Sequence, residues 1–214
     1  MEAIPDRQWV SRLMSERGMP GHIVRHCRAV RMVAVAIACA LREKGFGIDV
    51  RLVDRASLLH DICKADCLGG GDHALMGRQL LDRLGFPRIG DVVGQHVRLR
   101  SMEVCEAMVV NYADKRVMHD RVVSLERRFV DLMDRYGRDE QRVRGIQTHY
   151  MHTCEVERIL VRASGIDPEW LESLNLVLGD HPLDGGRGLF RQNGAVEEDD
   201  HHVNLEGVDE NDPV

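Results

Sequence analysis

The feature that most constrains the fold is the spacing of apolar residues, which recur every three or four positions through most of the chain. Segment 20–44 has this pattern. Its apolar residues are Val30, Val33, Ala34, Ile37, Ala40 and Leu41. Such spacing places the apolar side chains on one face of a helix. No stretch shows the strict alternation of a half-buried strand, and only 4% of the residues are aromatic, which is low for a β-sandwich core. We therefore predict an all-α fold, a helical bundle.

The same reasoning predicts further helices between residues that start or stop them. The expected helices cover residues 6–17, 20–44, 49–62, 72–84, 89–97, 102–118, 124–136, 140–163 and 167–177. Asp72 is a predicted N-cap, and Gly85 and Pro87 end the helix that it starts. These helices are predicted to form one domain over residues 1–180.

Charge is distributed unevenly along the chain. The net charge is −6, and eight acidic residues follow Arg191 with no Lys or Arg among them. Residues 1–191 carry all 29 basic residues and the other 27 of the 35 acidic ones, a net charge of +2. We predict that residues 192–214 form a disordered acidic tail. The nearly neutral remainder argues against a nucleic-acid partner, since that function needs a clustered basic face.

Cysteine usage and hydropathy predict the compartment. The six cysteines are scattered and form no C-x-x-C pair. Asp6 and Arg7 precede any apolar run, so no secretory signal is recognised. The most apolar stretch, residues 29–41, is interrupted by Arg31 and is too short to span a bilayer. We expect a cytoplasmic protein with reduced thiols and no membrane partner.

Four ionisable residues lie on helical faces that are otherwise apolar. They are His26, His60, Asp61 and Asp114. Burying such groups costs free energy unless they are paired or bind a cation. One such residue alone would be interpreted as a hydrogen-bonded core group. Four in one domain favour shared coordination of a buried metal ion.

The order of the His and Asp residues resembles that of a known family. LLHDICK resembles the HD-domain signature LLHDIGK, DHALMG resembles the family's H-x-x-x-G helix, GQHVRL is similar to its next histidine segment, and NYADKRV is similar to its closing Ala-Asp. The resemblance covers about residues 20–120 and points to the HDIG-type members of the HD superfamily of metal-dependent phosphohydrolases. Cys63 departs from the signature, which has Gly there.

The resemblance implies both an activity and a ligand set. The activity would be cleavage of a phosphoester or phosphoanhydride, of a nucleotide, by a metal-activated hydroxide. His26, His60, Asp61 and Asp114 would hold one ion. His73 and His96 would complete a second, with Asp61 between the two. The ions would be divalent Fe, Mn or another transition metal, with Mg also compatible.

Two residues are predicted to act in catalysis, Asp61 as the bridging ligand and Lys64. Lys64 lies one turn beyond His60 and can contact a phosphate as a point charge. The alternative interpretation is a solvated lysine at a helix end. Adjacent residues leave a helix about 100° apart, so His60 and Asp61 can both ligate only if the metals lie near the end of their helix.

Two other functions are compatible with the same ligand order. One is a di-iron oxygenase, which would consume oxygen. The other is a non-catalytic sensor that binds a nucleotide without turnover. The remaining histidines within the predicted domain lie in no motif. His119, His149 and His152 are therefore interpreted as surface or core residues, like His181 after the last helix.

Overall fold

Helices dominate the computed structural model, which describes residues 4–67 and 71–178. The helices are α1 Arg7–Glu16, α2 Gly21–Glu43, α3 Val50–Leu59, α4 His73–Arg83, α5 Pro87–Val93, α6 Glu106–Lys115, α7 Leu125–Tyr136, α8 Glu140–Ser164, α9 Pro168–Ser173 and α10 Asn175–Leu178. The predicted all-α class is confirmed. The predicted acidic tail at 192–214 lies outside the described residues. In the described part, no helix is both long enough and apolar enough to cross a bilayer.

One short hairpin was not predicted. Strands β1 Val117–Met118 and β2 Arg121–Val122 pair antiparallel, with Val117 opposite Val122. The expected helix over 102–118 was therefore too long at both ends, since α6 covers only Glu106–Lys115. Strands of two residues are too short to show alternation, so periodicity could not reveal them.

Helix starts follow the capping residues that the sequence offers. The Asp72 carboxylate accepts a hydrogen bond from the backbone N–H of Leu75 at 3.0 Å, which confirms the predicted cap. Asp49 caps α3 in the same way through Leu52. A capping side chain satisfies a backbone donor that has no partner within the helix, which fixes where the helix begins.

Helix α2 lies at the centre of the core. Val30, Val33 and Ala34 are fully buried, as the apolar stripe predicts, and the helix contacts α3, α6 and α8. Burying an aliphatic side chain of this kind stabilises the fold by about 1.5–3 kcal/mol. His26 lies on the same helix at 8% exposure. Its backbone therefore belongs to a helix that three other helices hold in place.

A buried arginine joins the second half of the chain to the first. Arg116, at the end of α6, is 1% exposed. Its guanidinium donates hydrogen bonds to the carbonyl oxygens of Val123 at 2.7 Å and Pro168 at 2.8 Å, and to the Tyr112 hydroxyl at 2.8 Å. It also pairs with Glu157 of α8 at 3.2 Å. Helices α8 and α9 are thus attached to α6 directly beside Asp114.

Helices α4 and α5 approach each other closely at a glycine of the H-x-x-x-G segment. A Cβ atom on Gly77 would lie 2.9 Å from Cγ1 of Val93 and 3.5 Å from Cγ2 of Ile62. Val93 is β-branched and fully buried, so it cannot turn away easily. We expect Gly77 to be required for this approach, which brings His73 of α4 towards His96.

A pair of matched variants tests that requirement. Gly77→Ala and Gly145→Ala both place alanine in a helix interior, where it gains about 1 kcal/mol over glycine. A Cβ on Gly145 meets nothing within 4 Å. We expect the Gly77 variant to be less stable than the Gly145 variant by about 1–3 kcal/mol because of overpacking. Urea denaturation of both measures the difference, and equal stabilities would contradict the steric argument.

Candidate metal centre

The His-Asp dipeptide lies at the end of a helix. Helix α3 ends at Leu59, His60 is its C-cap, and the chain turns from Asp61 to Lys64. His60 is fully buried and Asp61 is 2% exposed. The requirement that adjacent ligands lie near a helix end is therefore met in the structure.

Three histidines present the same ring nitrogen to the centre. Nδ1 of His60 lies 2.8 Å from the Ser57 carbonyl oxygen, Nδ1 of His96 lies 2.7 Å from that of Val93, and Nδ1 of His26 lies 2.6 Å from that of His119. A carbonyl oxygen can only accept, so each Nδ1 carries the proton. The neutral form of each ring therefore has its lone pair on Nε2, where a metal can bind. In the metal-free protein the same nitrogen of His26 lies 3.1 Å from Oδ1 of Asp114.

The ligand atoms fall into two sets. One set contains His26, His60 and Asp114, and the other contains Asp61, His73 and His96. Within each set the ligand atoms lie within 4.8 Å of one another. All six residues that the sequence predicts as ligands are brought together, although they come from five separate segments of the chain.

Asp61 lies between the two sets. Its Oδ2 is 3.5 Å from His60 Nε2 and 3.9 Å from His26 Nε2. Its Oδ1 is 3.3 Å from His73 Nε2 and 3.6 Å from His96 Nε2. One oxygen of the carboxylate thus faces each set, which is the arrangement that a bridging ligand requires.

Two buried atoms of the centre have no hydrogen-bond partner within residues 4–67 and 71–178. They are Nε2 of His60 and Oδ1 of Asp61. Leaving such groups unsatisfied costs about 1–3 kcal/mol each, more when the group is charged. Nε2 of His73 also lies 3.1 Å from Nε2 of His96, so two lone pairs meet unless a proton or a cation lies between them. Convergent imidazole nitrogens and carboxylate oxygens are the donors that divalent transition metals bind, so the residues fit a metal.

Both carboxylates are held in the ionised form that a ligand needs. Burial alone would raise the pKa of Asp61, but the neighbouring imidazoles, above all that of His60, outweigh burial and lower it well below its usual range. Burial of Asp114 is outweighed in the same way by Lys115 and His26, so its pKa is also well below the usual range. Metal binding at these two oxygens therefore does not have to displace a proton from them.

Two lysines contact the carboxylates from outside the ligand sets. Lys64 Nζ donates to Oδ2 of Asp61 at 2.6 Å, with 45% of its side chain exposed. Lys115 is buried and donates to Oδ2 of Asp114 at 2.6 Å and to the His96 carbonyl oxygen at 2.9 Å. Lys64 was predicted from the sequence, whereas Lys115 was not. The position of Lys115 directly after Asp114 could have indicated an ion pair with that carboxylate. A lysine at the end of a helix is equally common without such a role.

A second residue of α6, Asn111, also holds the backbone of the segment that carries His96. Asn111, one turn before Lys115, donates from Nδ2 to the carbonyl oxygens of His96 at 2.9 Å and Gln95 at 3.2 Å. The polar side chains of α6 therefore fix the backbone that carries His96. Sequence analysis treated Asn111 only as part of a motif, because its partners lie 15 and 16 residues away.

A family model described as the HD domain matches residues 23–139, which are more than half of the 214 residues. The chain belongs to the HD domain family. This result confirms the family resemblance predicted from the four motifs. The HD domain indicates the superfamily of metal-dependent phosphohydrolases, and its members generally bind divalent metals, as the two ligand sets would allow.

Three curated relatives are similar to parts of the chain. An uncharacterized protein of Methanocaldococcus jannaschii is 40% identical over 65 residues, which are 30% of this chain and 38% of that protein. The tRNA (cytidine(56)-2'-O)-methyltransferase of Thermoplasma volcanium is 27% identical over 184 residues, 78% of this chain and 50% of that protein. Ribonuclease Y of Desulfotalea psychrophila is 44% identical over 64 residues, 29% of this chain and 12% of that protein. The chain thus spans half or less of each relative. No solved structure matches it.

Proposed function

We propose that this chain is a metal-dependent phosphohydrolase that cleaves a phosphoester or phosphoanhydride of a nucleotide. The observation that carries the proposal is the position of Asp61 between two histidine sets. Among the described residues, the buried atoms His60 Nε2 and Asp61 Oδ1 also have no hydrogen-bond partner. A lone buried ion pair would need no such convergence of four imidazoles.

Each ligand has a role in this proposal. His26, His60 and Asp114 hold one divalent ion, and His73 and His96 hold a second, with Asp61 in reach of both. Fe and Mn suit this mixture of imidazole and carboxylate, and Mg is a further candidate. When bound, such ions lower the pKa of a coordinated water and polarise phosphoryl oxygens.

Lys64 is the proposed contact to the phosphate. Its ammonium group lies against Asp61, and nearly half of its side chain is exposed. Burial lowers the pKa of Lys64, but the charges of Asp61 and Asp114 outweigh this and raise the pKa above its usual value. In the metal-free protein the ammonium is therefore a cation at the edge of the site, where it can neutralise charge that develops on a phosphoryl group.

The proposed partner is a phosphorylated small molecule in the cytoplasm. All six cysteines are free thiols in the structure, which supports a reducing compartment. RNA is a second candidate substrate, because two of the relatives are named for tRNA and for ribonuclease activity. The near-neutral charge of residues 1–191 favours the small molecule.

A substrate screen on metal-loaded protein tests these candidates. The protein is purified without oxygen and loaded with Mn or Fe. It is then assayed for phosphate or nucleotide release from mononucleotides, dinucleotides, nucleoside triphosphates and a short RNA. We expect metal-dependent release from one of the nucleotides. Cleavage of RNA alone would show that the substrate is RNA and not a nucleotide. Oxygen consumption would indicate the oxygenase, and nucleotide binding without turnover would indicate the sensor.

The Lys64→Met variant tests the phosphate contact. We expect turnover of the substrate found in that screen to fall about 10²-fold, because one charge-stabilising donor is lost, while metal content stays at the wild-type level. Lys44→Met is the control, since Lys44 is an exposed lysine at the end of α2. Steady-state kinetics and metal analysis of both variants give the comparison. Equal turnover in both variants would show that Lys64 does not contact the phosphate and is a solvated lysine at a helix end.

A further inference from the structure

The hydrogen bond that orients His26 differs from those of the other ligands. His60 and His96 bond to carbonyl oxygens three residues earlier, at the ends of α3 and α5. His26 bonds instead to the carbonyl oxygen of His119, 93 residues along the chain. Local helix geometry fixes the first two rings. The orientation of the His26 ring depends on a tertiary contact.

His119 occupies an unusual backbone conformation. Its φ is 56°, and among the described residues it is the one non-glycine residue with a positive φ. It begins the two-residue loop between β1 and β2, and both common forms of that loop need a positive φ at their first residue. A backbone of this kind persists only where the surroundings enforce it, and such positions cluster at functional sites.

The surroundings of the loop enforce this conformation from several directions. Asp120 pairs with Arg25 of α2 at 3.4 Å, and Arg135 of α7 donates to Nε2 of His119 at 3.0 Å. Asn175 donates to the Val122 carbonyl oxygen and accepts from its N–H, both at 2.8 Å. The loop is therefore attached to α2 and α7, and strand β2 that follows it is attached to α10.

We propose that the His119–Asp120 turn is a positioning element for the metal site, and that the His119 carbonyl selects the His26 tautomer that presents Nε2 to the metal. The role belongs to the backbone of His119, since its carbonyl oxygen makes the hydrogen bond to His26, while Nε2 of its ring faces Arg135. Glycine adopts a positive φ readily, so it preserves the carbonyl position. Valine does not, so it moves the carbonyl away. The inference relies on the proposed function only in treating His26 as a ligand.

Three variants test this positioning role. His119→Val should bind the ion of the His26, His60 and Asp114 set about 10–100-fold more weakly, the usual cost of losing a partner that orients a ligand. It should keep the other ion, which also shows that the variant is folded. His119→Gly should bind both ions within about twofold of wild type. His22→Val, an exposed substitution on the same helix as His26, should resemble wild type.

Two measurements give the outcome. Mn titration of metal-free protein reports affinity, and ¹⁵N chemical shifts of the His26 ring in metal-free protein report which nitrogen carries the proton. Nε2 of His26 faces the Asp114 carboxylate at 3.1 Å, so the decisive signal is that of Nδ1. We expect Nδ1 to carry a proton in wild type and His119→Gly, and to lose it in part of the molecules of His119→Val. Wild-type affinity and tautomer in His119→Val would overturn the inference. Equal losses in His119→Gly and His119→Val would also overturn it, because they would assign the role to the imidazole. If wild type bound no metal, the proposed function would fail, while the tautomer measurement would still decide this inference.

Discussion

Replacing Asp61 with alanine should remove both metal ions and lower turnover by at least about 10³-fold. Asp61 is the residue whose two carboxylate oxygens face the two histidine sets, so its loss weakens both at once. Metal ions contribute several kcal/mol of charge stabilisation to such reactions, and each 1.36 kcal/mol corresponds to a tenfold change in rate. The fold should persist, because alanine leaves no buried charge at this position.

Metal content measures this prediction directly. Elemental analysis of Mn-loaded protein should give two equivalents in wild type, one in His73→Ala and close to none in Asp61→Ala. Asp66→Ala is the matched control, because Asp66 lies five residues away, is 38% exposed in its side chain and pairs with Arg17 at the surface. It should keep both ions. Circular dichroism of each variant confirms that the helices are intact.

Three results would contradict this description of the site. One equivalent in wild type, with full activity in His73→Ala, would indicate a mononuclear enzyme. Wild-type metal content in Asp61→Ala would show that Asp61 is not a ligand. Loss of only one ion in Asp61→Ala would show that Asp61 belongs to one set and does not bridge.

Helix periodicity and ligand order were readable from the sequence because both are local signals. The stripe of Val30, Val33 and Ala34 is the buried face of α2, and Asp72 caps α4 as predicted. The six candidate ligands could be named because four short motifs follow one another in the order that HD proteins share. The assignment of ligands to ions depends on three-dimensional proximity. The resemblance implied that Asp61 lies between the two ions, and the structure places its Oδ2 towards His26 and His60 and its Oδ1 towards His73 and His96.

The supporting residues could not be predicted, because their partners are distant in sequence. Lys115 contacts the His96 carbonyl across 19 residues, and His119 contacts His26 across 93. A basic residue at the end of a helix and a histidine in a turn are both common at protein surfaces. Arg116 is the most extreme case, since an arginine is expected at the surface and this one is 1% exposed. Only the structure shows which oxygens surround it.

Loss of that arginine should have the largest effect on stability. Arg116→Met keeps an apolar side chain of similar length, but it leaves the carbonyl oxygens of Val123 and Pro168 without their donor. It also removes the cation that pairs with the partly buried carboxylate of Glu157, which keeps only the hydrogen bond from the Tyr112 hydroxyl among the described residues. Removing one partner of a buried ion pair costs about 3–5 kcal/mol, and we expect a loss of this size in the free energy of unfolding. Urea denaturation of metal-free protein measures the loss without a contribution from bound ions.

Two further variants separate the buried charge from a general effect of losing an arginine. Arg158→Met removes an exposed arginine of α8 that pairs with Glu155 at the surface, and it should leave the free energy of unfolding unchanged. Adding Glu157→Gln to Arg116→Met should recover part of the loss, because the unpaired carboxylate is then absent. A loss in Arg116→Met no larger than that in Arg158→Met would show that α8 and α9 are held by apolar packing. The network around Arg116 would then stabilise only the local backbone beside Asp114.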